Sequence, residues 1–467
     1  MRFFGEKSKR FAARLRENFI RVGLNLLIAV LLGVLFLQCG LYVRQYIRQS
    51  RIENTLPMDL RLLSTSAQDV SRDLDVSLLL PQAAAVRPFD GDASAVLNSA
   101  AVMEELYGEI SQCLSSALAG EGVPSGEFRW QQALKGAWVY ARYSAELPYQ
   151  VVYAFSAAAD GGEELRQADT YIGVREILLV TDTEQPYFRS VLVRGEGGIY
   201  EFPLETKKPF TDFFSYVVTY SDAFYPCRLE TDGGGIHLIT EGQILARTVR
   251  PGEGDLSLIW ENTEDFRAVL RVLDFNPDKL NHHTETDGAE VFVESHGVLR
   301  ADNISLSYQA TETGGLSLDG FGVTENQRGD IYDYLRTASY LIGILDKMDS
   351  RYVGGDAGLY LESVAAEGDS VVLSFAYRCD NIAVIFGGDG TGLRLSFSGD
   401  TLTEIRYRAM HVQKTPEHRL VMMQEWVQKQ LSLGVDSDMY LVYSMDGSGG
   451  EAEAQWMLLS GAAARKR

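Results

Sequence analysis

The longest apolar stretch runs from Val22 to Val43, VGLNLLIAVLLGVLFLQCGLYV, without a charge between Arg21 and Arg44. As a helix rising about 1.5 Å per residue it would span roughly 33 Å, close to the hydrocarbon thickness of about 30 Å, so one transmembrane helix is expected there. Arg2, Lys7, Lys9, Arg10, Arg14, Arg16 and Arg21 precede it, whereas only Arg44, Arg48 and Arg51 follow closely. That bias predicts a cytoplasmic N-terminus and an extracytoplasmic C-terminal body. The run is longer than a signal-peptide core, and Tyr42 to Arg51 offers no small-residue cleavage site. Cys39 follows Gln38, where lipoprotein processing would want a small residue, so it reads as an inert thiol. Asn25, Ala29 and Gly33 recur every four residues, continued by Phe36 and Gly40. Such a stripe lets another helix approach closely and is the expected contact for a partner's transmembrane helix, although small residues are common in all membrane helices.

Beyond the span the pattern shortens and alternates. Residues 1–21 read as the basic tail, 22–43 as the span, and 44–95 as a juxtamembrane segment ending in a Pro-, Gly- and Ala-rich linker, Pro81 to Ala95. A first α+β module is expected over 96–260. It opens with a helix from Ala95 to Ala119, in which Leu97, Ala101, Met103, Leu106, Ile110 and Leu114 lie at helical spacing. Strands follow at Ala137 to Tyr143, Val151 to Ala154 and Ile177 to Val180, and the aromatic run Phe210 to Tyr225 reads as helical. A second module, 261–325, combines a helix reaching Phe275 with strands at Glu290 to Glu294, Ile304 to Ala310 and Leu316 to Leu318. A third, 326–467, opens with a helix from Arg328 to Met348 and adds several strands. It continues with a helix from Pro416 to Leu433 and ends in strands near Tyr440 and Trp456. Val291 to Ala310 and Leu359 to Tyr377 share an apolar-Glu-Ser strand followed by an apolar-Ser-aromatic strand, which reads as a duplicated unit. The expected class is α+β: antiparallel sheets with packed helices behind one N-terminal transmembrane helix.

Charge sharpens this picture. The whole chain carries −21, yet its first 51 residues hold ten Lys or Arg against Glu6 and Glu17, so the body is about −29. A body that acidic repels nucleic acid, which is not an expected partner. The densest group of potential metal ligands is His282, His283, Glu285, Asp287 and His296, but HHTETDG also reads as a polar connection into a turn at Asp287-Gly288, and no metal or other cofactor is expected. Cys113, Cys227 and Cys379 form no C-x-x-C pair and read as buried thiols. His411 and His418 flank a Lys-Thr-Pro turn and read as surface residues. The glycine-rich pieces at 354–358, 387–392 and 446–450 lack the lysine and helix of a phosphate loop. With no H-e-x-x-H, G-x-S-x-G or S-x-x-K set, catalysis is not expected and no catalytic residue is assigned.

Residues 274–310 carry a more specific signal. Asp274-Phe275-Asn276, the turn Asp287-Gly288, the strand Val291-Phe292-Val293-Glu294 and Gly297-Val298-Leu299-Arg300 resemble the YycH family and its relative YycI. Residues 371–407 resemble strand pairs of YycI-like and PepSY-like extracytoplasmic domains. The resemblance implies a membrane-anchored regulator without catalytic activity. Its implied partners are a sensor histidine kinase of WalK (YycG) type and a related membrane regulator as hetero-oligomer, and its implied output is control of cell-wall metabolism. The alternative reading is an extracytoplasmic module that binds peptide or cell-wall fragments without a kinase.

Overall fold

The computed structural model describes residues 74–460, apart from 161–171, 182–185, 206–207, 233–234, 253–262, 277–280, 313, 322–330, 353–354, 368–369, 387–390, 424–436 and 446–449. The expected span at 22–43 therefore lies outside the described residues, and among those described no helix is long and apolar enough to cross a membrane.

The chain up to Thr240 builds a nine-stranded antiparallel sheet. In chain order its elements are β1 (Ala83–Arg87), β2 (Ala93–Val96), α1 (Ala100–Leu118), β3 (Val123–Ser125), α2 (Glu127–Ala133), β4 (Trp138–Pro148) and α3 (Tyr149–Asp160). Then follow β5 (Gly173–Thr181), β6 (Phe188–Gly195), β7 (Gly198–Pro203), α4 (Phe210–Thr219), β8 (Phe224–Asp232) and β9 (Gly235–Thr240). The spatial order is β3-β7-β6-β5-β4-β1-β2-β8-β9. Helix α1 starts where the Ser99 hydroxyl accepts the Val102 amide, and it buries Met103, Leu106, Tyr107, Ile110 and Leu114 on one stripe. The Tyr107 hydroxyl meets that of Tyr143 on β4 at 2.7 Å, which seats α1 on one face of the sheet.

Two expectations change here. Pro81 to Ala95 is not a linker: Ala84, Ala85, Val86 and Ala95 are fully buried in β1 and β2, with β1 paired to both β2 and β4. The alanines mark a strand with no room above it rather than a loose connection. Val151 to Ala154 is helical, not extended. The β-branched pair Val151-Val152 is fully buried in α3, which packs along α1, so tertiary packing overrides local strand propensity.

The later chain builds a twelve-stranded sheet. Its elements begin with β10 (Gln243–Pro251), which belongs to a separate ribbon, and continue with α5 (Thr263–Val272), β11 (Asn281–Thr284), β12 (Glu290–Glu294), β13 (Gly297–Ala301), β14 (Ser305–Ala310), β15 (Leu316–Ser317) and α6 (Ile331–Tyr352). After them come β16 (Ala357–Glu367), β17 (Ser370–Cys379), β18 (Ile382–Phe386), β19 (Leu393–Ser398), β20 (Thr401–Arg408), β21 (Val412–Met422), β22 (Ser437–Met445) and β23 (Ala454–Ser460). The meander β11-β12-β13-β14 continues through β14–β20 pairing, so residues read as second and third modules share one sheet. Strand β17 carries β16 along one edge, while its other edge is divided between β19 and β18. Helix α6 buries Leu335, Ala338, Leu341, Ile342 and Leu345, and Tyr334 stacks on Phe397 of β19 at 4.5 Å between centroids.

The two matching strand pairs differ in arrangement. β12 and β14 are separated by β13, whereas β16 and β17 are direct neighbours, so the shared spacing reflects strand composition and not a repeated pairing unit. The helix expected from Pro416 is also corrected: up to Met422 the chain is strand β21, held in a two-stranded ribbon by β10. Residues 424–436 lie outside the described residues.

Candidate interaction surfaces

Among the contacts that join the early and late parts of the chain, two differ in kind. The first is the tip of the β17–β18 hairpin, where Asp380 and Asn381 adopt positive φ of 50° and 67° in a two-residue turn. The Asn381 amide donates to the Gln82 and Leu97 carbonyls at 3.1 and 3.3 Å. Arg378 donates to the Leu80 carbonyl at 2.7 Å and to the Asn381 side-chain oxygen at 3.3 Å, with its guanidinium 3.7 Å from the centroid of the Tyr360 ring. Burial pulls Arg378 below the usual arginine range and lifts the Tyr360 hydroxyl. Arg378, Asn381 and Gln82 are all buried, so this arrangement is a joint and not an open site.

The second is the β10–β21 ribbon. Its inward residues Ile244, Ala246 and Val421 are buried, and Thr248 meets Thr415 across the strands. Register pairs Gln243 with Met422, Leu245 with Leu420 and Arg247 with His418. These six alternate with the inward set and share the outer face. All six are exposed, with Leu245, Leu420 and Met422 at 48, 60 and 57 %. Along the far edge of β10, the Leu245 carbonyl accepts from Asn98 at 2.7 Å and the Arg247 carbonyl from the Tyr443 hydroxyl at 2.9 Å. Val249 exchanges backbone bonds with Ala452. The far edge of β10 is thus occupied, and the strand's contribution to the outer surface is the side chains Gln243, Leu245 and Arg247. Where β21 begins, burial disfavours the charge on Lys414, but the Asp380 hydrogen bond and the charges of Asp380 and Asp356 outweigh it and raise its pKa.

A second exposed apolar stripe lies on α4. Phe210 and Phe213 turn inward against Phe188, while Phe214 and Val218, one turn apart, are 38 and 64 % exposed. Phe89, itself 44 % exposed, extends the stripe edge-on to Phe210 with centroids 5.8 Å apart. Charges of both signs surround the helix, with Lys208 paired to Glu109 and lying over Phe213. Burial first, then the charges of Glu109 and Glu105, lift the Tyr216 hydroxyl above its usual range, with Asp212 adding to them.

On one face of the first sheet a row of ionisable groups is brought together. Arg142, Glu176 and Arg194 stand in register across β4, β5 and β6, and the Tyr140 hydroxyl donates to Glu176 at 2.7 Å. Burial raises the Glu176 carboxyl, opposed chiefly by Arg142. On the same face Arg129 of α2 makes a two-pronged pair with Glu201, at 3.1 and 2.8 Å, and the Arg129 hydrogen bond holds the Glu201 carboxyl below its usual range.

The histidine-rich segment divides three ways. His282 pairs with Glu290 at 2.5 Å and stacks on Phe292. Glu285 and Asp287 turn to Arg300. His296 faces the Leu273 carbonyl at 3.3 Å and packs against Phe275, and His283 stands opposite Val291. Among the described residues no group of three or more His, Cys, Asp or Glu is placed to hold a metal ion. The turn at Asp287-Gly288 is present: Gly288 has φ of 89° and the Asp287 carboxylate accepts the Ala289 amide. His411 is buried, not superficial, whereas His418 is exposed. Cys113, Cys227 and Cys379 are free, buried thiols, each pushed up to about 12 by burial. The stripe Asn25, Ala29, Gly33, Phe36 and Gly40 lies outside the described residues. Neither exposed surface was identified from the sequence. The alternation Ile244-Leu245-Ala246-Arg247 was the available signal for the ribbon, but its partner strand begins more than 150 residues later.

No protein-family model matches the sequence, and none of the curated proteins matches it. Among solved structures, the chain is similar to YycH from Bacillus subtilis, known from its crystal structure, with a TM-score of 0.51 at 12 % identity, over 83 % of this chain and 95 % of that one. The chain therefore has a YycH-like fold.

Proposed function

We propose that this protein is a membrane-anchored extracytoplasmic regulator of a sensor histidine kinase in a two-component system controlling cell-wall metabolism, acting by contact and not by catalysis. The likeness to YycH along 83 % of the chain carries this reading. The resemblance of Asp274 to Ala310 to the same family supports it independently, as does the acidic body behind a basic, apolar N-terminal segment. In this reading residues 22–43 pack beside the kinase's membrane helices through Asn25, Ala29, Gly33, Phe36 and Gly40, while the body engages its extracytoplasmic sensor domain. The body needs only differential affinity for the active and inactive kinase states: a coupling of about 1 to 3 kcal/mol changes signalling several-fold or more.

Loss of the gene is expected to shift response-regulator phosphorylation several-fold in cells, and unchanged phosphorylation would reject the regulator reading. Tagged full-length chain solubilised from membranes is expected to retain the kinase, and replacing Ala29 and Gly33 by Leu to weaken that retention. A periplasmic-type reporter fused after Arg467 is expected to be active, and a cytosol-only signal would remove the anchor from the scheme.

A further inference from the structure

The two exposed apolar surfaces carry opposite charge. On the ribbon, Leu245, Leu420 and Met422 share their face with Arg247, His418 and Gln243, with no carboxylate among the six. Arg247 forms no ion pair with any described residue, whereas the neighbouring cations Lys414 and Arg419 are matched, to Asp380 and to Glu417 and Glu453. Its guanidinium is therefore left over, on a chain whose net charge is −21. On the α4 stripe, Phe89 is followed by the exposed Asp90 and Asp92 and the helix carries the exposed Asp212, while Glu109 and Glu105 of α1 are engaged by Lys208 and Tyr220.

Each surface thus has an apolar centre and a charged rim, and the rims are complementary. We propose that the outer face of the β10–β21 ribbon of one copy of this protein docks on the α4 stripe of a second copy, Leu245, Leu420 and Met422 against Phe89, Phe214 and Val218, with Arg247 set among Asp90, Asp92 and Asp212. Two ribbons cannot serve each other equally well, because that contact would bring Arg247 toward a second basic face. Two α4 stripes would oppose carboxylate to carboxylate. Only the mixed pairing buries apolar surface and neutralises charge together. Each patch is small beside the roughly 800 Å² per partner of a stable interface, so the association is weak in dilute solution and is strengthened where copies are concentrated.

The test is light scattering of the full-length chain in detergent, over a range of protein and salt concentrations, with two single-surface variants. Leu420→Glu disables the ribbon and Val218→Lys disables the α4 stripe; both sites are more than half exposed, so each variant is expected to melt with the wild type. The wild type is expected to rise above the mass of one chain with concentration, less so as salt is raised. Either variant alone is expected to stay at one chain, and an equimolar mixture of the two to associate again, because each supplies the surface the other lacks. A wild type that remains at one chain, a variant that associates as well as the wild type, or a mixture that remains at one chain would each overturn the proposal.

Discussion

The hairpin tip at Arg378 and Asn381 and the β10–β21 ribbon both tie early chain to late chain, yet they do it in opposite ways. At the tip every named donor ends on a buried carbonyl or side-chain oxygen, and an aromatic ring covers the cation. In the ribbon one face is closed by Ile244, Ala246 and Val421, while the other is left to solvent with three large apolar side chains. A joint whose polar groups are all buried against its own chain has nothing exposed with which to recognise a partner. A joint that satisfies only one face retains that capacity, and so the ribbon, not the hairpin tip, is where substitution can alter association without unfolding the protein.

The comparison can be broken at its strongest point first. Asn381→Ala leaves the Gln82 and Leu97 carbonyls buried without their donor and puts alanine at positive φ, so a loss of about 3 kcal/mol is expected in denaturant unfolding. Ile244→Ala removes the fully buried side chain of the ribbon's inner face and is expected to cost about 2 kcal/mol, the lower end for such truncations because the ribbon has only two strands. A smaller effect is expected from His411, whose pKa is lowered by burial from an ordinary value of 6.5. The folded state holds it neutral while the unfolded chain takes up a proton more readily. Its contribution is therefore intact above about 6.5 and is lost as pH falls through the folded value. Melting temperature is expected to drop between pH 7.5 and 5.5, and His411→Gln to flatten that slope. The smallest change belongs to the outer face: Leu420→Ala is expected to stay within about 0.5 kcal/mol of wild type. A loss there as large as that of Ile244→Ala would mean the two faces are not different.

Elements with strong local periodicity were legible from the sequence. The stripe Met103, Leu106, Ile110 and Leu114 specifies α1, Leu335, Ala338, Leu341 and Ile342 specify α6, and Asp287-Gly288 specifies the turn between β11 and β12. What was not legible depends on partners distant in the chain. Ala83 to Arg87 looks like a linker because small residues suit loops, and only the neighbouring strands and the helices above them show that they also suit a crowded strand. Pro416 to Met422 looks helical until Gln243 to Arg247 is placed beside it. The joint at Asn381 was hidden for the same reason, since its acceptors belong to residues about 300 positions earlier. The exposed surfaces could not be seen because exposure of Leu420 or Val218 follows from which face of the ribbon or helix is covered, and neither residue differs in type from a core residue.

Ribbon geometry also imposes an order of events on biosynthesis. Roughly 160 residues must be polymerised after β10 before β21 exists, on the order of 10 to 30 seconds at ordinary translation rates. Throughout that interval Ile244 and Ala246 have no strand to lie beside, and a chain stopped early never acquires one. Premature products therefore display an uncovered apolar strand to chaperones and proteases, so quality control can tell a complete molecule from a truncated one.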